Sequence, residues 1–318
     1  MKKNFYDVND AGRTLLWCLI LPQILFLAFE LVLMLFAGDR TLEQMLELKP
    51  VIILMAMISQ VAFVITYYQI NKNTNPIVAG KINVKNFGWQ NVLICILIGA
   101  IGLFAFSPIS STAVEFLKFI DFEVTEGFLF ELSNPFWLIL ALILAAVIPA
   151  IVEELIFRGI IFQGLRKYGP VKAILLTSFL FALIHLSAQQ FVFPFLFSIV
   201  LCYVVLKTNS ILASMIIHFV SNAISLFVMY FNFQMEIALP IGAVLLIAIA
   251  LVFVGYLVIW FLTKLLKNTE KEKTTDEILK VVEDAEKAPK FNGNRYYVKL
   301  GIAVGLVLWA INLIYGVI

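Results

Sequence analysis

The feature that most constrains this chain is a series of apolar stretches, each close to the length that crosses a bilayer. A transmembrane helix needs about twenty mostly apolar residues. The stretches cover residues 14–37, 50–70, 89–107, 135–162, 171–187, 191–206, 211–231, 237–263 and 298–318. Over the whole chain 62% of residues are hydrophobic and 14% are charged, whereas soluble proteins carry about a quarter charged residues. The sequence therefore predicts an all-α, polytopic transmembrane helical bundle.

These stretches divide the chain into three predicted parts. Residues 1–263 form a core of about eight transmembrane helices, and residues 298–318 form one extra C-terminal span. Between them, residues 264–297 are rich in charge and poor in aromatic side chains, which is typical of a solvated linker. The fifth and sixth spans are short and close together, so we expect them to form a tight antiparallel pair.

Basic residues predict the orientation of the chain, because cytoplasmic loops hold an excess of lysine and arginine. With a cytoplasmic N-terminus, nineteen of the 23 basic residues fall in cytoplasmic segments. The outer segments then hold only Arg40, Lys49 and Lys118, and Arg158 lies inside a span. We therefore expect a multi-pass protein of the cell membrane with its N-terminus inside, its linker in the cytoplasm and its C-terminus outside.

Several classes of function are disfavoured by what the sequence contains. Cys18, Cys95 and Cys202 lie in three different apolar stretches, which indicates core residues and not a disulfide framework or a metal cluster. We find no glycine-rich phosphate-binding loop and no nucleic-acid-binding signature. We therefore expect neither a nucleotide nor a nucleic acid as partner.

Charged side chains occur in the fourth span, where a charge is costly. Glu153, Glu154 and Arg158 end an apolar run that begins at Pro135 and holds no other charge. A charge at membrane depth costs about 2.5 to 3.5 kcal/mol on insertion scales, so each one needs a partner or a function. Glu154 and Arg158 lie one helical turn apart and can pair, whereas Glu153 points about 100° away. Pro149 should bend the helix just before the acids.

The only two histidines of the chain also lie in apolar stretches. His185 falls late in the fifth span and His218 in the seventh, with Asn222 one turn beyond on the same face. Each polar group alone could be a helix-packing hydrogen bond, but their presence on three spans favours a shared site. The expected topology places His218 and Glu153 in the cytoplasmic half of the membrane. It places His185 nearer the outer side unless the fifth span is short or tilted.

Two chemistries are compatible with these groups. Glu153, His185 and His218 match the composition of a hydrolytic Zn²⁺ site, although their spacing is not that of an HExxH helix. In a metal-free version, Glu153 acts as general base on a water molecule, and the histidines and Asn222 donate hydrogen bonds to the oxyanion. The residues alone leave both versions open.

Three ordered motifs resemble those of a known family. Glu153-Glu154-x-x-x-Arg158, Phe181-x-x-x-His185 and His218-x-x-x-Asn222, on successive spans, are similar to the motifs of the CAAX prenyl endopeptidase and bacteriocin-processing family of intramembrane metalloproteases, also called CPBP or Abi. The similarity covers residues 135–231. It implies an eight-helix membrane core, a site open to the cytosol and cleavage of a peptide bond near or within the membrane.

The resemblance also assigns roles to the site residues. It implies that Glu153 is the water-activating base or a metal ligand, and that Glu154 and Arg158 are supporting groups. It further implies that His185, His218 and Asn222 are ligands or oxyanion donors.

The family resemblance leads us to expect an endopeptidase of a bacterial plasma membrane. Its substrate would be a small membrane-associated or prenylated-type peptide or protein, such as a pheromone or a bacteriocin precursor. The alternative is a non-catalytic membrane scaffold or a bacteriocin immunity protein, since the family contains such members. A transporter or proton relay is less favoured, because we find no pair of broken helices in corresponding halves of the chain.

Overall fold

The computed structural model describes residues 3–46, 48–82, 87–120, 122, 132, 134–232, 239–269 and 296–315. Within these ranges every regular element is a helix, which confirms the predicted all-α class. The helices are α1 (Val8–Leu35), α2 (Leu42–Leu46), α3 (Lys49–Asn71), α4 (Pro76–Ala79), α5 (Trp89–Phe119), α6 (Pro135–Tyr168), α7 (Pro170–Leu183), α8 (Val192–Thr208), α9 (Ile211–Tyr230), α10 (Ile241–Leu265) and α11 (Tyr296–Tyr315).

Six of these helices, α1, α3, α5, α6, α9 and α10, are long and apolar enough to cross a membrane. They identify a multi-pass membrane protein. The predicted fifth span is shorter in the structure, because α7 has 14 residues, whereas α8 has 17 and agrees with the predicted sixth span. At 1.5 Å per residue α7 is about 21 Å long, less than the hydrocarbon core of about 30 Å. The predicted fifth span, 171–187, is therefore wrong at its end, since α7 stops before His185.

The C-terminal span is an apolar helix in the structure, α11, whose apolar part is Tyr296–Asn312. Most of the predicted charged linker, residues 270–295, lies outside the described residues, so its role stays a prediction. The three cysteines are buried and free, as their positions predicted.

The helices that carry the candidate site begin and end at recognisable signals. The Asn134 side chain accepts hydrogen bonds from the backbone N–H groups of Phe136 and Trp137 at the start of α6. Pro135 is tolerated at the first position because a backbone N–H there would have no partner within the helix. Gly169 has a φ of +90°, a conformation that glycine adopts without steric cost, and it joins α6 to α7. Asn209 ends α8 in the left-handed region, and the Ser210 side chain caps α9.

Helix α6 lies at the centre of the bundle, where it packs against α1, α3 and α9. The short helices α7 and α8 pack closely against each other, as the sequence predicted for that pair. Helix α5 packs against α8, α9 and α10, and α11 packs against α1. The motif-bearing helices therefore meet in the interior of the bundle.

Two π-helical segments interrupt α6, at Leu142–Val147 and Leu155–Ile161. Between them, Ile148–Glu154 is α-helical and carries the two acids. π-Helical turns are rare and occur frequently at functional sites. The sequence predicts a bent helix at Pro149. The structure shows a change from π-helical to α-helical geometry just before the proline.

Candidate active site

A buried ion pair forms the fixed part of the candidate site. Glu154 Oε1 accepts hydrogen bonds from an Arg158 guanidinium nitrogen at 2.7 Å and from His218 Nδ1 at 2.9 Å. Glu154 and Arg158 are fully buried, and His218 is 6% exposed. The Glu154–Arg158 pair predicted from the four-residue spacing is therefore present. The hydrogen bond from His218 to Glu154 joins α6 to α9.

Arg158 also ties α6 to the short helices. Its second terminal nitrogen donates to Ser198 Oγ of α8 at 2.6 Å. Its guanidinium lies 4.5 Å from the centroid of the Phe181 ring of α7, within the range of a cation–π interaction. One side chain thus links three helices, α6, α7 and α8, which explains why a charge is retained in the core.

Both histidines use the same ring nitrogen for support. His218 Nδ1 donates to Glu154, and His185 Nδ1 donates to the Phe181 carbonyl at 2.8 Å. In a neutral imidazole with its proton on Nδ1, Nε2 carries the free lone pair. Both Nε2 atoms are therefore available to accept a proton or to bind a metal. Metal-binding histidines are usually oriented in this way by a carbonyl or a carboxylate.

His185 lies just beyond the end of α7, which is the short fifth span that the sequence-based topology allowed for. Its ring packs edge-on against Phe181 with centroids 5.2 Å apart, and the same Phe181 ring packs edge-on against His218 at 6.0 Å. His185 also interacts electrostatically with Glu153 and with His218. The shortness of α7 is the reason that these groups meet at one level.

Glu153 lies apart from the buried pair and is partly exposed. Its Oε1 accepts a hydrogen bond from Gln60 Nε2 of α3 at 3.0 Å. The adjacent acids thus occupy different environments, because successive helical residues point about 100° apart. Glu154 is hydrogen-bonded to Arg158 and His218, whereas Glu153 has one amide partner and is partly exposed.

Asn222 contacts the backbone of α6. Its Nδ2 donates to the Ala145 carbonyl at 3.0 Å. Pro149 stands four residues after Ala145 and has no N–H to donate to that carbonyl. The amide therefore supplies a hydrogen bond at the point where the proline withdraws one. Its predicted role as a ligand or an oxyanion donor stays a prediction.

The predicted Zn²⁺ site fits the chain in chemistry but not in spacing. Glu153, His185 and His218 offer one carboxylate and two oriented imidazoles, which is a donor set that Zn²⁺ accepts. Among the described residues, however, no three His, Cys, Asp or Glu side chains lie at metal-ligand spacing. The metal version and the metal-free version both stay predictions.

Sequence reasoning missed Gln60 and Ser198, which contact Glu153 and Arg158 respectively. Each is an uncharged polar residue within an apolar helix. A polar residue within an apolar helix is the only sequence signal that could have indicated a role in the site. The same signal is equally typical of side chains that join neighbouring helices.

Comparison with known proteins gives one family match. Residues 135–224 match the model of the Rce1-like family, described as type II CAAX prenyl endopeptidase. The match covers under a third of the chain, and over this stretch the chain is similar to the family. The Rce1-like region runs from the start of α6 into α9 and contains all six predicted site residues. The matched family is one of endopeptidases, which supports a peptide hydrolase among multi-pass membrane proteins. No curated protein and no solved structure matches the chain.

Proposed function

We propose that this protein is an intramembrane endopeptidase that hydrolyses a peptide bond in a small membrane-associated or prenylated-type peptide or protein. One observation carries the proposal: two adjacent acids on α6 have separate tasks. Glu154 is fully buried and orients His218, while Glu153 remains partly exposed and interacts electrostatically with His185. A rigid support next to an accessible base is what general base catalysis requires.

In the proposed reaction Glu153 takes a proton from a water molecule, whose oxygen attacks the scissile carbonyl carbon. The carbonyl π bond opens to give a tetrahedral oxyanion. The carbon–nitrogen bond then breaks, and the proton held by Glu153 passes to the leaving amine. Gln60 holds the Glu153 carboxylate from α3 and so fixes the direction from which the water is activated.

The two histidines are oriented through Nδ1, which leaves an Nε2 lone pair on each. In the metal-free version Glu153 takes one hydrogen of the attacking water, and the Nε2 of one histidine accepts the hydrogen bond of the other. The predicted role of the histidines as oxyanion donors would require a proton on Nε2, so the second N–H of Asn222 is the candidate donor to the oxyanion. In the metal version Glu153, His185 and His218 would hold the ion. A Zn²⁺ ion bound there would lower the pKa of its water to about 7.

An apolar cavity that reaches Gln60, the hydrogen-bond partner of Glu153, supports a membrane-associated substrate. The cavity has a volume of about 260 Å³ and lies between α3 and α6. Gln60 is its polar residue, and the remaining lining, which includes Leu144 and Ile148, is apolar. A larger cavity of about 470 Å³ between α8 and α10 contains none of the site residues. We therefore assign substrate access to the smaller cavity.

The substrate class is tested with matched peptides in liposomes that contain the purified protein. One peptide ends in a prenylated cysteine followed by three residues, its twin lacks the prenyl group, and a third is anchored by an apolar helix. We expect cleavage of the prenylated or helix-anchored peptide and little cleavage of the unmodified twin. A protein that is folded but cleaves none of them would support the scaffold or immunity alternative. Preference for the unmodified twin would contradict the proposed substrate class.

A chelator separates the two versions of the chemistry in the same assay. Loss of cleavage that returns on addition of Zn²⁺ identifies the metal version. Undiminished cleavage after chelation and removal of free metal identifies general base catalysis without a metal.

A further inference from the structure

Helix α11 lies outside the family match, yet it contacts the turn that carries His185. Asn312 of α11 donates a side-chain hydrogen bond from Nδ2 to the Leu186 carbonyl. Leu186 directly follows His185. The side chain of Leu186 is buried in the same apolar cluster as Leu308 and Trp309 of α11.

The turn after α7 needs such support. Leu186 has a φ of +51°, and a leucine in the left-handed region is strained and persists only where its surroundings impose it. The adjoining backbone N–H groups of His185 and Leu186 donate to the carbonyls three residues earlier, Ala182 at 3.3 Å and Leu183 at 3.1 Å, and so no longer follow the α-helical pattern. The Asn312 amide therefore holds a carbonyl in a segment that the helix itself no longer fixes.

Close packing fixes α11 at this position. A Cβ atom built on Gly12 of α1 would lie 2.6 Å from Tyr297 Cβ, and one built on Gly301 would lie 2.6 Å from Leu15 Cδ2. A Cβ on Gly305 would lie 2.6 Å from Leu183 Cδ2 of α7. Small residues four apart let helix backbones approach closely in a membrane. The glycines thus seat α11 between α1 and the end of α7.

We propose that Asn312 is a positioning residue, and that α11 completes the site by holding the turn from which His185 extends. The His185 ring is fixed at one end by the Phe181 carbonyl and at its own backbone by this turn. Release of the Leu186 carbonyl would let the imidazole leave the level of Glu153 and His218. This inference rests on the proposed function for its effect on catalysis, but its structural part can be tested without cleavage.

The test uses the fact that the chain has only two histidines. Purified protein, carrying an affinity tag without histidine, is treated with diethyl pyrocarbonate, and modification of His185 and His218 is followed by mass spectrometry. Asn312→Asp keeps the shape of the side chain but removes the N–H donor. We expect His185 to be modified several-fold faster in Asn312→Asp than in the wild type, with His218 as the unchanged internal reference. Asn312→Gln, which keeps a donor, should restore the slower rate in part.

A second variant covers the case in which Asn312→Asp does not fold. Gly305→Leu forces α11 away from Leu183, and Gly242→Leu is its control because a side chain there meets open space. Gly305→Leu should raise the His185 rate, and Gly242→Leu should not. An unchanged ratio of His185 to His218 modification in every folded variant would overturn the proposal. Where cleavage is measurable, Asn312→Asp should lower kcat several-fold and leave KM unchanged. Absence of wild-type cleavage would count against the proposed function alone.

Discussion

At the scale of single residues, the environment of a charge decides what it can do. Glu154 and Arg158 are fully buried, so their charges compensate each other, and Glu154 orients His218. Glu153 lies on a different face of α6 from Glu154, and its side chain is partly exposed. Their spacing alone predicted the ion pair. It did not predict that His218 would share Glu154 Oε1, because that contact depends on how α9 is seated.

Loss of Arg158 should destabilise the protein strongly. Arg158→Leu leaves the Glu154 carboxylate buried without its cation, which typically costs about 3 to 5 kcal/mol. The measurement is thermal unfolding of the purified protein in a single detergent. Arg166→Leu is the matched control, because Arg166 is an exposed arginine of the same helix and surface changes usually stay within about 0.5 kcal/mol. Equal melting temperatures for the two variants would contradict a structural role for the pair.

At the scale of elements, the ends of helices determined which site residues meet. The sequence from Pro170 onward predicted an apolar span but not its end at Leu183, because no proline or glycine follows before Phe191. That end brings His185 into the site. The π-helical segments of α6 were equally unpredictable, since they depend on contacts with α3 and α9. Pro149 signalled only that a helical hydrogen bond would be missing.

The pairing of Asn222 with the Ala145 carbonyl predicts a coupling with Pro149. Asn222→Ala should destabilise the wild type by about 1 kcal/mol, the usual net value of one hydrogen bond. In a Pro149→Ala background the restored N–H can serve that carbonyl, so the same substitution should cost less. Thermal unfolding of the four proteins of this double-mutant cycle gives the coupling energy. Strictly additive losses would show that Asn222 does not compensate for the proline.

At the scale of the whole molecule, the packing of the first and last helices relates the two ends of the chain. Gly12, Leu15 and Leu19 of α1 meet Val298, Gly301 and Gly305 of α11 in the same order. The two helices therefore run parallel and begin on the same side of the bundle. Composition predicted the helical class and the number of apolar segments. It could not predict that the extra C-terminal helix returns to α1, since that contact joins residues nearly 300 positions apart.

The proposed topology places the start of α1 and the start of α11 in the cytoplasm. Single cysteines at the exposed positions Phe5 and Tyr296 should react with a membrane-impermeant maleimide only when the cytoplasmic face is accessible. A cysteine at Phe36, beyond the other end of α1, should react from outside in intact cells. The native cysteines are buried and give a low background. Labelling of Phe5→Cys and Tyr296→Cys from opposite sides would contradict the parallel arrangement.

The decisive measurement compares the cleavage rates of the wild type and of Glu153→Gln. Both proteins are used at equal levels with the same anchored peptide. Glu153→Gln keeps the side-chain shape but removes the base, so we expect the rate to fall by about 10² to 10⁴-fold, the usual contribution of general base catalysis. Glu30→Gln, another acid inside an apolar helix, is the control and should cleave like the wild type. Retained cleavage by a folded Glu153→Gln protein would contradict the assignment of Glu153 as the base.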